Sequence, residues 1–103
     1  MLSIGDFVTQ VKMGALIKCN NVTERMECIE ILDDVGFDAS FMYGFMRFDI
    51  SRLSDYLYVG VSDSKVNCWI RTSSSIIPFS EVPKDIAYND EEFYDAINKL
   101  LFA

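Results

Sequence analysis

The sequence predicts an α+β domain: an antiparallel sheet of about four strands, with amphipathic helices packed on it. Three observations lead there. Two segments near the N-terminus and one near the C-terminus carry helix caps and a 3.6-residue apolar period. The stretch 39–79 between them alternates apolar and polar residues with period two. Finally, 103 residues of which half are hydrophobic and 14% aromatic suffice for one packed core, so residues 1–103 read as a single domain.

The elements follow in order. Residues 3–13 read as a short opening helix, with Ser3 and Asp6 as a capping pair, Phe7 and Val11 on one face, and Gly14 as the stop. Residues 15–19 read as a short strand. Asn21 then caps a second helix, with Glu24 at the third helical position and Gly36 past its end. Val22, Met26, Ile29 and Leu32 are its expected core face, and Glu24, Glu27, Glu30 and Asp34 fall on the opposite arc. Asp33 and Asp34 are oddly placed near the C-terminus, where the helix dipole disfavours anions.

From residue 41 the alternation predicts strands. Phe41, Tyr43 and Phe45 alternate with Met42, Gly44 and Met46; Leu57, Val59 and Val61 with Tyr56, Tyr58 and Gly60; Val66, Cys68 and Ile70 with Asn67, Trp69 and Arg71. Ser62-Asp63-Ser64-Lys65 is a hairpin turn, and Ile76-Ile77 a short edge strand closed by Pro78, which has no N–H for a ladder. After a linker at 83–88, Asn89 and Glu92 open a last helix with Phe93, Ile97, Leu100 and Leu101 on its buried stripe.

Composition narrows the chemistry. There is no histidine, so Ser-His-Asp and Cys-His catalysis are excluded, and the five scattered glycines form no phosphate loop. Cys19, Cys28 and Cys68, spaced by nine and forty residues, match no zinc or redox pattern and read as buried thiols of a reducing compartment. The paired acids Asp33-Asp34 and Asp90-Glu91-Glu92 sit at predicted helix ends, where solvated carboxylates are ordinary. No metal, cofactor or catalytic residue is expected. Residues 1–6 lack a basic leader, and no apolar run is long enough to cross a bilayer, so a cytoplasmic address is expected.

The net charge is −7, concentrated in both ends of the chain around a nearly neutral middle. That balance argues against direct nucleic-acid binding, which needs clustered cations, and suits a protein partner with a basic surface. The expected contact residues are Tyr56, Tyr58 and Trp69 as anchors on an open sheet face, with Arg71 on the same face. The acids Glu24, Glu27, Glu30 and Asp34 are expected to steer association. The bland alternatives are that the acids are merely the wet side of a helix, and that the aromatics close the core beneath the last helix. An excess of sheet aromatics also leads us to expect a twofold homodimer.

In order, the chain holds the strand Ala15-Leu16-Ile17-Lys18-Cys19, a capped acidic helix at 21–36 and a meander ending in Ser75-Ile76-Ile77-Pro78-Phe79-Ser80-Glu81. Over residues 14–81 the chain resembles small acidic accessory proteins of phages, among them anti-CRISPR and anti-restriction inhibitors, in pattern and composition. The resemblance implies a non-catalytic inhibitor or adaptor that occludes a protein in the host cytoplasm. The alternative is an oligomeric small-ligand binder, a nucleotide-sequestering protein in which Arg47, Arg52 or Arg71 reaches a phosphate.

Overall fold

In the computed structural model, residues 1–48, 55–70 and 74–84 are described, 45–48 as backbone only. The predicted last helix, with Phe93, Ile97, Leu100 and Leu101, lies outside them. Helix α1 spans Ile4–Lys12, strand β1 Leu16–Lys18, helix α2 Val22–Asp34 and helix α3 Ser40–Phe48. Strands β2 (Tyr58–Ser62), β3 (Lys65–Trp69) and β4 (Ile76–Pro78) follow, and a short 3-10 turn covers Phe79–Glu81.

Local sequence sets the helix ends. Ser3 Oγ accepts the Asp6 N–H at 3.2 Å, and Asn21 Oδ1 accepts the Glu24 N–H at 2.9 Å. Both α1 and α2 close in Schellman motifs. The Ala15 N–H reaches Gln10 O and the Gly14 N–H reaches Val11 O; likewise Phe37 reaches Leu32 and Gly36 reaches Asp33. The motif needs a left-handed residue, supplied by Gly14 at φ 102° and Gly36 at φ 113°.

The strand order is β3-β2-β1-β4, and the sheet is antiparallel except at one edge. There β4 follows β3 in sequence but lies on the far side of the sheet, and it runs parallel to β1 with Ile17 opposite Ile77. The β2–β3 hairpin turns on Asp63 and Ser64, both at positive φ (52° and 63°), the geometry of a two-residue type I′ turn. Ile17, Val59, Val66, Cys68 and Ile77 point to one face, and Phe7, Val8, Val11, Ile29, Leu32 and Met42 of the helices cover that face in one core.

Two expectations need correction. Residues 41–48 form helix α3, not a strand, so Phe41 and Tyr43 are not sheet residues. This run is apolar at both parities, so it satisfies either period, and its environment decides. The Asp38 carboxylate accepts the Ser40 N–H at 3.0 Å and hydroxyl at 2.6 Å, turning the chain into a helix. The Asp38 backbone meanwhile bonds Ser64 and Val66 at the edge of β3. Second, the core face of α2 is rotated. Val22 is 42% exposed and Met26 half-buried, while Arg25 and Cys28 join Ile29 and Leu32 inside.

Candidate functional site

The capped start of α2 separates one acid from the others. Glu24 Oε1 accepts both the backbone N–H and the side-chain amide of Asn20 at 2.9 Å, so this half-buried carboxylate belongs to the cap. Glu27, Glu30, Asp33 and Asp34 are exposed. Among the described residues none of the four is ion-paired; the salt bridge that forms there joins the Met1 ammonium to Glu81 at 3.3 Å. Their spacing of three and four residues brings like charges together along one side of the helix. The last turn holds two acids and no base, against the helix dipole.

Tyr43 of α3 completes this surface. Its hydroxyl donates to Asp33 Oδ2 at 3.3 Å. Partial burial, then Asp33, Glu30 and Asp34, push the phenol above its ordinary pKa, because each disfavours a phenolate. The acidic row therefore has a half-buried aromatic donor at its C-terminal end. Tyr43 reaches this surface because residues 41–46 are helical rather than the expected strand, and the Asp38-x-Ser40 step after Gly36 is the sequence signal for that helix start.

The aromatic half of the expected site is elsewhere. Tyr58 and Trp69 are cross-strand partners on the sheet face turned away from α1, α2 and α3, together with Gly60 and Asn67. Trp69 and Leu16 converge over Gly60: a Cβ there would lie 3.3 Å from Trp69 Cζ3 and would overlap Leu16 Cδ2. Both aromatics are half-buried. Tyr56 does not share their surface. It packs against the helix-side core, and its carbonyl accepts a 3.2 Å hydrogen bond from Arg25 Nη1. Arg71 and Arg52, and the side chain of Arg47, lie outside the described residues. The structure thus places Tyr58 and Trp69 on one side of the molecule and the outward acids of α2 on the other, with the sheet and helix layers between them. A single flat interface cannot use both.

Beneath α2, Cys19 and Cys28 are in thiol–thiol contact at 3.6 Å, and all three cysteines are buried. The contact with Cys19, then burial, then Glu24 and Glu27 hold the Cys28 thiol well above its ordinary pKa. Burial pushes Cys68 up to about 12, although Arg25 pulls the other way. No group of three or more metal-ligating residues occurs among the described residues. A cleft between the end of α1 and Ser74-Ser75 is lined by Gln10, Met13, Gly14 and Ala15, and none of these described lining residues is titratable. No described helix is long and apolar enough to cross a membrane.

The described residues form an α+β fold, with helices packed on a four-stranded sheet, and the outer face of α2 carries acids with no described cation beside them. No protein-family model matches the chain, and no curated protein or solved structure matches it.

Proposed function

We propose that the protein is a non-catalytic binding module that occludes a basic surface on a host protein, in the manner of the small acidic phage inhibitors it resembles. The observation that carries this reading is the row Glu27, Glu30, Asp33 and Asp34. These carboxylates repel one another, Asp33 and Asp34 also oppose the helix dipole, and none of the four has a cation beside it among the described residues. Such a row opposes folding and is relieved when a partner brings lysine or arginine to it. Tyr43, at its end, supplies a rigid aromatic with a hydroxyl, the kind of side chain enriched at interface hot spots.

The test is capture from host lysate at low and high salt, using the natural protein and a Glu27→Gln/Glu30→Gln/Asp34→Asn variant. A partner with a basic surface should be retained at low salt, released at high salt and lost from the variant. Equal capture by both proteins, or none by either, rejects the reading. Trp69→Ala asks whether the opposite face takes part. A loss of about 2 kcal/mol in affinity with an unchanged Tm would restore Trp69 as an anchor. Self-association belongs to the same proposal, through the Tyr58–Trp69 face. Sedimentation at tens of micromolar, an ordinary range for testing association, should show a dimer; a monomer alone excludes it.

A further inference from the structure

Cys19 follows β1 directly, and Cys28 lies midway along α2. Their relative exposures are 1% and 0%, and their sulfurs are 3.6 Å apart. A disulfide needs about 2.05 Å, so the sulfurs must approach by roughly 1.5 Å. We propose that this pair is a latent intramolecular disulfide, which a small-molecule disulfide oxidant closes to tie the end of β1 to the middle of α2.

The chemistry is thiol–disulfide exchange. Cys19, as its thiolate, attacks one sulfur of an oxidant RSSR, forming Cys19–S–S–R and releasing RS⁻. Cys28 then loses its proton and attacks the Cys19 sulfur, which expels the second RS⁻. The two thiol protons end on the leaving groups, so two protein thiols and RSSR become one protein disulfide and two RSH. The two electrons lost by the protein reduce the oxidant.

The fold controls the rate rather than the outcome. Both thiols are shielded, and the carboxylates of Glu24 and Glu27 disfavour a thiolate at Cys28. Attack therefore requires a local opening of the segment between β1 and α2, which the Asn21 and Glu24 hydrogen bonds hold closed. The third thiol, Cys68, belongs to β3 opposite Val59, and the sulfur in contact with Cys19 is that of Cys28.

The experiment treats the folded protein with oxidised glutathione at neutral pH and follows intact mass. A non-reducing tryptic digest then locates the bond. Cleavage after Lys18 and Arg25 puts the two cysteines in separate peptides, 19–25 and 26–47, so a bond between them links those peptides until reductant is added. The natural protein should lose two hydrogens, keep no glutathione, show the 19–25/26–47 link and melt at a higher temperature. Cys68→Ala should behave the same way, whereas Cys28→Ala should never form the link. Asn21→Ala should form the same product about fivefold faster, a typical cap energy expressed as a rate through RT. Three free thiols after prolonged treatment of the folded protein would overturn the proposal. So would a link containing Cys68 or joining two chains, a link formed only in denaturant, or a rate unchanged in Asn21→Ala.

Discussion

Helices α1 and α2 share the same terminal devices, a side-chain N-cap and a glycine Schellman stop, yet they differ in what lies between. In α1, Asp6 stands in the first turn and Lys12 in the last, and the buried face is Phe7, Val8 and Val11. Charge agrees with the dipole and the interior is hydrocarbon. In α2 the last turn carries Asp33 and Asp34 with no base, and the buried face includes Arg25. Both helices are stable elements of one core. Of the two, only α1 has the charges that stability alone would select, and the proposed role of the outer face of α2 rests on that contrast.

The largest test of this contrast is Arg25. Arg25→Ala should cost about 3 kcal/mol by urea denaturation, since it leaves a cavity and removes a donor from the Tyr56 carbonyl. Arg25→Met keeps most of the volume and should recover most of that loss, because apolar replacements of buried charges are often tolerated. Equal losses in the two variants would mean that the hydrogen bond matters more than the filling.

Next come the shared stops. Gly14→Ala and Gly36→Ala force a Cβ into positive φ and should each cost about 1–2 kcal/mol. A much smaller loss at either would show that its helix end can close another way.

A smaller effect carries the sharper contrast, because its sign should reverse. Asp6→Asn should destabilise by about 0.5 kcal/mol, whereas Asp33→Asn should stabilise by a similar amount, and both effects should shrink in high salt. Destabilisation by Asp33→Asn would show that its bond from Tyr43 outweighs the charge repulsion, and the acidic row would then be structural.

The smallest effect is alkaline. The Tyr43 pKa is raised in the folded protein above the ordinary value of 10.0, so its contribution to stability is present below that pH. It is lost as pH rises through the higher folded value. Tyr43→Phe should therefore flatten the decline of Tm above pH 10, and any difference it makes in the neutral range should not vary with pH. An identical alkaline decline in the variant would show that the phenol is not in contact with the acids.

Much of the architecture was legible because it depends on local chemistry. Ser3, Asn21, Gly14, Gly36 and the Asp63-Ser64 turn each impose a backbone geometry on their own neighbours, and the structure uses each of them as its residue type suggests. Pro78 likewise closes the edge strand. The candidate site was legible only in part. The acids were visible as an exposed arc, but Glu24 is drawn into a cap by Asn20, and Asp33 gains its role from Tyr43 on another helix.

By itself the sequence determined the α+β class, the ends of α1 and α2, the hairpin and an acidic outer arc. All of these depend on residues within a few positions of one another. The tertiary structure alone decided three things. It made 40–48 a helix, because a run apolar at both parities follows whichever surface it meets, here the edge of β3. It buried Arg25, because a distant carbonyl at Tyr56 was there to receive it. And it set Tyr58 and Trp69 on the opposite side from Glu27 and Glu30, because sheet parity and the side on which the helices pack are settled only when the layers meet.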